Sequence, residues 1–131
     1  MTWATKTLKE FQDALASSDP TPGGGSAAAV ALGQAAALAV MVSELTLAKE
    51  SLSDGWEISE QVKSVAEPFL KSGLELATSD SDAFDAVVAS FRLPRETDDD
   101  KEKRRDAIRS ATLGAAEVPY QTAISALQLL R

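Results

Sequence analysis

A chain of 131 residues, 44% of them hydrophobic, has the length of one globular domain and too much apolar content for general disorder. The formal charge of −7, with 13 basic against 20 acidic residues, leaves no basic patch clear of acidic neighbours and argues against nucleic acid and anionic membranes as partners. With no cysteine and no histidine, this chain offers no disulfide, thiol nucleophile or Cys/His zinc site, so proton chemistry falls to Asp, Glu, Lys, Tyr or an activated Ser.

Aromatic residues make up only 5% of the chain, so packing must come mainly from Ala, Leu and Val. Residues 5–16 place Leu8, Phe11 and Leu15 on one stripe, with Lys6, Lys9, Glu10 and Asp13 elsewhere, the pattern of a surface helix. Ser17, Ser18, Asp19 and Pro20 end it, because a residue before proline is pushed out of the α region. Residues 26–50 are apolar nearly all round until Ser43 and Glu44. A helix without a polar face belongs inside a bundle or at an oligomer interface. Within it, residues 27–42 are short for a membrane span, rich in alanine and interrupted by Gln34, so a buried core helix is expected.

After Ser53-Asp54-Gly55, the residues Ile58, Val62, Val65, Phe69 and Leu76 predict a third helix, kinked or divided at Pro68. Residues 80–91 predict a fourth, with Ser79 as N-cap and Asp80 and Asp82 at its positive end. Leu93-Pro94-Arg95 breaks it. Acids first and bases later over residues 96–105 suit a solvated helix opening, and Ile108, Ala111, Ala115 and Val118 carry the last helix on to Pro119, which interrupts it. The fold expected is all-α: one domain over 1–131, a bundle of about five helices around a long Ala-rich central one. No apolar leader opens the chain, and the expected location is cytoplasmic.

The stretch Pro20-Thr-Pro22-Gly23-Gly24-Gly25-Ser26 costs conformational entropy to order, about 0.5–1 kcal/mol per glycine relative to alanine. One reading is a hinge or a plain helix entry with Gly25 or Ser26 as N-cap. The other is a ligand loop, since missing Cβ atoms let a ligand touch the backbone and free N–H groups at a helix start bind anionic or carbonyl oxygens. It is neither a Walker loop, having no Lys-Ser/Thr ending, nor a dinucleotide fingerprint, having no preceding strand. The residues leave these two readings at even weight.

Three stretches carry a family resemblance: residues 15–46 around Pro-Gly-Gly-Gly-Ser, residues 80–97 with Asp-x-x-Ala-Phe and then Leu-Pro, and Ala111, Ala115, Val118 and Pro119. Together they resemble the cyclodeaminase domain of formiminotransferase-cyclodeaminase and the stand-alone methenyltetrahydrofolate cyclohydrolases. The resemblance implies a helical, dimeric, folate-binding enzyme of one-carbon metabolism that needs no cofactor beyond its tetrahydrofolate substrate and no metal. It either hydrolyses 5,10-methenyltetrahydrofolate to the 10-formyl form or cyclises 5-formiminotetrahydrofolate with loss of ammonia. Pro22, Gly23, Gly24, Gly25 and Ser26 become the expected folate loop and Asp80 the expected catalytic acid. Arg95 stands where the family has Lys, as a cation for the folate glutamate tail. Asp82, Lys101 and Arg104 are read as surface charges. Family members run on into further helices, so a shortened chain is expected; the alternative function is a non-catalytic helical module that binds folate or oligomerises.

Overall fold

Thr7 starts the first helix by accepting from the Glu10 amide while the Glu10 carboxylate takes the Thr7 N–H at 2.7 Å, a reciprocal cap. The Thr7 N–H and the Thr7 hydroxyl, both donating to this carboxylate, hold the Glu10 carboxyl below the usual carboxylate range. The computed structural model describes residues 2–131. A 3-10 turn at Trp3–Thr5 precedes α1 (Leu8–Leu15); α2 (Gly24–Leu47), α3 (Trp56–Phe91) and α4 (Asp98–Leu130) follow, with no strand among the described residues. The all-α expectation holds, with four helices rather than about five.

The difference lies in α3, which joins the expected third and fourth helices into one rod of 36 residues, about 54 Å long. Pro68 sits inside it and divides nothing. Ser79 is therefore no N-cap, and Asp80 and Asp82 lie deep in the helix rather than at its start. The polar run there looked like a cap because Ser, Thr and Asp compete with helix backbone for hydrogen bonds. Here tertiary partners engage them instead: Thr78 accepts from the Trp3 amide and Ser81 from the Trp3 indole. α4 likewise runs through Pro119, from a Thr97–Asp100 capping box.

α2 and α3 lie antiparallel, as the pairs Ser26–Asp80, Gly33–Gly73 and Glu44–Lys63 require. Their seam is built from small side chains. α2 buries Ser26, Ala29, Gly33, Ala36 and Ser43; α3 answers with Ser59, Ala66, Gly73, Ala77 and Ser81. Both sets recur near every seven residues, which keeps one stripe of each helix facing the other. Gly73 permits the closest approach: a Cβ there would lie 2.8 Å from the Gly33 nitrogen and 2.9 Å from the Ala29 carbonyl oxygen. Trp56 closes the turn between the two helices, its indole donating to the Thr46 carbonyl in the last turn of α2.

Large apolar residues sit mostly outside this seam. Ile58, Val62 and Val65, expected inward, are exposed, as are Leu8 and Leu15, so α1 buries only Phe11. α2 is not a buried core helix either. Its opposite face carries Leu38 at 59%, Val42 at 58% and Leu45 at 56% exposure. By length and composition α2 is the one helix among the described residues able to cross a membrane. α4 packs against both α2 and α3 and buries Thr122 and Ser125.

Candidate functional site

Helix α2 begins with glycine. Gly23 is its N-cap, extended at φ −119°, and no cap side chain covers the first turn, so the Gly24, Gly25 and Ser26 amides have no intrahelical acceptor. Neither Gly25 nor Ser26 is the cap. The loop before them is tied to α3 beside the helix start, where Thr21 donates its hydroxyl to Asp85 at 2.9 Å and Pro22, after a cis peptide, is buried. That tie and burial are not those of a free hinge.

Ser26 is fully buried and turns its hydroxyl toward α3 rather than its own helix. Its Oγ lies 2.9 Å from the Ala77 carbonyl oxygen, 3.1 Å from Asp80 Oδ2 and 2.9 Å from Ser81 Oγ. Ser81 also accepts from the Trp3 indole at 2.9 Å. Among the described residues no buried side-chain polar atom lacks a partner. Gly25 is where glycine is indispensable: an added Cβ would land on the Asp80 carboxyl, 2.6 Å from Oδ2. The half-buried Asp80 carboxylate is thus laid on bare backbone at the positive end of α2, beside unpaired N–H donors. A carboxylate can move a proton, and free helix-start amides can hold an oxygen.

Loop and Asp80, 54 positions apart along the chain, come together. Arg95 does not join them. Phe91 ends α3 about 17 Å along the helix from Asp80, and Arg95 follows in the exposed loop. There it lines a groove of about 370 Å³ with Lys101, Arg104 and Arg105. Lys101 pairs with Asp98 at 3.2 Å, as expected of a surface charge. Arg104 instead donates from Nε and Nη2 to the Phe91 carbonyl at 3.3 and 3.2 Å, and its guanidinium lies 5.5 Å from the Phe91 ring centre. It closes the C-terminus of α3. A second, apolar cavity of about 440 Å³ runs between α2 and α4 along Ala28, Ala31, Ala35 and Ala126, and Asp80 does not line it.

Sequence reasoning missed Ser81, Trp3 and the Thr21–Asp85 bond. Their only signals were a tryptophan in an aromatic-poor chain and a polar run within an apolar pattern.

Fold and site define an all-helical domain that sets a carboxylate against an uncapped glycine helix start. The matches narrow the class further. The chain belongs to the formiminotransferase-cyclodeaminase family, whose model matches residues 7–131. It is 39% identical over 114 residues to the methenyltetrahydrofolate cyclohydrolase of Methylorubrum extorquens, covering 87% of this chain and 55% of that protein. The formimidoyltransferase-cyclodeaminases of Gallus gallus and Sus scrofa are 31% and 29% identical, over 92% and 90% of this chain and 22% of each enzyme. The chain thus spans about half of the bacterial relative and a fifth of the animal ones.

Proposed function

We propose that this chain is a folate-dependent one-carbon enzyme, hydrolysing 5,10-methenyltetrahydrofolate to 10-formyltetrahydrofolate or cyclising 5-formiminotetrahydrofolate with release of ammonia. The observation that carries this reading is the seating of the Asp80 carboxylate against Gly25 and Ser26. Methenyltetrahydrofolate holds its one-carbon unit as an amidinium, already electrophilic. Asp80 takes a proton from water as the water oxygen bonds to that carbon. It then returns the proton to the ring nitrogen as the carbon–nitrogen bond breaks, while the hydroxyl on that carbon loses its remaining proton to solvent and becomes the formyl carbonyl. The free amides of Gly24 and Gly25 hold the incoming oxygen, and the bare backbone lets a flat ring approach. No further cofactor enters this scheme.

In this scheme Pro22, Gly23, Gly24, Gly25 and Ser26 form the folate-contacting loop, and Arg95 attracts the anionic tail. The separation of Arg95 from Asp80 suits a long ligand charged at its far end. The working location is cytoplasmic. A homodimer is favoured by the C-terminal half of α2, where the large apolar side chains Leu38, Val42 and Leu45 are exposed at helical spacing. Residues 1–131 act as one domain of a larger pocket, as the 55% coverage of the bacterial relative suggests.

The test is incubation of the purified chain with methenyltetrahydrofolate, following loss of its near-ultraviolet absorbance against a buffer blank, together with ammonia release from the formimino substrate. Asp80→Asn is expected to lower kcat by about 10²–10⁴-fold with the fold intact. No acceleration of either reaction by the parent chain overturns the activity. Folate binding by calorimetry without turnover would establish instead the non-catalytic module.

A further inference from the structure

We infer that Trp3, through Ser81 and Ser26, is a positioning residue for the Asp80 carboxylate. The four side chains form one continuous line. Trp3 Nε1 lies 2.9 Å from Ser81 Oγ, Ser81 Oγ 2.9 Å from Ser26 Oγ, and Ser26 Oγ 3.1 Å from Asp80 Oδ2. Indole is a donor only, so Ser81 must accept from it. In the proposed arrangement Ser81 gives its own proton to Ser26, and Ser26 gives its proton to Asp80, with the Ala77 carbonyl as the competing acceptor. Donor polarity in that arrangement runs from the N-terminal turn toward the carboxylate.

The turn is anchored for this task. The Trp3 amide donates to Thr78 Oγ1 at 3.0 Å, one turn before Ser81 on the same helix. The indole also meets the Phe11 ring edge-on at 5.4 Å, which ties it to the one buried residue of α1. Two hydrogen bonds and an aromatic contact therefore hold a short N-terminal strap across α3, over the carboxylate-bearing turn. Without the Trp3 donor, Ser81 and Ser26 can each reverse, and the hydroxyl beside Asp80 no longer has a fixed direction. Trp3 also lies before residue 7, where the family match begins, so this support is outside what membership of the family describes.

The role rests on Asp80 carrying the proton in the proposed reaction, so the experiment has two separate readouts. In steady-state kinetics on the full chain, Trp3→Phe keeps a ring against Phe11 but removes the donor. It is expected to lower kcat by about three- to tenfold with KM within about twofold. Ser81→Ala, a good helix former that leaves Trp3 in place, is expected to match it. Trp3→Phe added to Ser81→Ala is expected to cost nothing further, since both cut the same line. Additive losses in kcat, or a Trp3→Phe chain with unchanged kcat, would overturn the proposal.

The second readout needs no turnover. The chain has two tryptophans, so Trp56→Phe assigns the Trp3 indole resonance in a 15N spectrum. Asp80→Asn is expected to shift that resonance, and Ser26→Ala to erase the shift. An indole resonance blind to Asp80→Asn refutes the relay, whereas a parent chain without turnover but with the coupled resonance refutes only the reaction.

Discussion

Gly33 and Gly73 face each other across the α2–α3 seam, yet alanine should have opposite effects at the two positions. At Gly73 the new Cβ would meet three backbone atoms, the Gly33 nitrogen at 2.8 Å and the Ala29 oxygen and Gly33 Cα at 2.9 Å. Backbone cannot rotate away as a side chain can. The helices must separate by roughly 0.6 Å to reach the 3.4 Å at which ordinary contact begins. A gap of that size forfeits a quarter to a half of the dispersion energy of each atom pair along the seam. Overpacking of this kind costs about 3 kcal/mol, offset by about 1 kcal/mol of helix propensity gained on losing glycine. Gly73→Ala should therefore lose about 2 kcal/mol, a Tm about 8 °C lower for a chain of this size. At Gly33 the added Cβ would lie 3.6 Å from the Phe69 oxygen and 3.9 Å from Gly73 Cα, both ordinary distances. Gly33→Ala keeps the propensity gain and should raise Tm by about 4 °C. Thermal melts followed by circular dichroism decide it. Equal losses at both positions, or a Gly73→Ala melt within about 2 °C of the parent, would refute the close approach.

Gly25→Ala should leave Tm within about 3 °C, because its Cβ meets a side chain, and should lower kcat about a hundredfold by displacing the Asp80 carboxyl; kinetics with a parallel melt checks both, and an unchanged kcat refutes it. Gly24→Ala meets nothing within 4 Å, so Asp80 stays in place; if the folate ring lies on this backbone, KM rises while kcat holds, and an unchanged KM removes Gly24 from the site. Lys63 is held above the ordinary lysine range chiefly by its hydrogen bond to Glu44, 2.6 Å away on α2. A raised pKa in the folded state means stability fully present below the ordinary value of about 10.4 and lost as pH rises through the raised one. The Tm advantage of the parent over Lys63→Gln should therefore be flat from pH 7 to about 10 and close above it; an advantage that persists at pH 12 counts against the pair.

Much of the fold could be read from residue patterns, but not which face of each helix is buried. The all-α class followed from periodicity and breakers, and the opening of α4 from acids placed ahead of bases. Hydrophobic periodicity chose Ile58, Val62 and Val65 for the α3 interior, while the structure buries Ser59, Ala66 and Gly73. Periodicity ranks positions by transfer free energy, whereas this seam is selected by size. The same limit hid the site. Pro22 to Ser26 and Asp80 were visible as motifs, but nothing in the chain order marks Ser81, which the Trp3 indole reaches from 78 positions away. Arg104 read as a solvated charge because nothing in a sequence marks which carbonyl a guanidinium will reach.

The smallness of the α2–α3 seam has a consequence for how this protein can change. Alanine and glycine lose no rotamer freedom on burial and serine little, so joining the helices costs almost no side-chain entropy. The same residues have little to repack: at Gly73 a larger one meets backbone, and a smaller one barely exists. Substitutions at such a point move whole helices and with them the distance between Ser26 and Asp80. Inheritable adjustment of the site must come instead from positions that touch only one helix, such as Gly24, or from the N-terminal turn that carries Trp3. The interior of the domain acts as a fixed gauge, and its edges hold the adjustable parts.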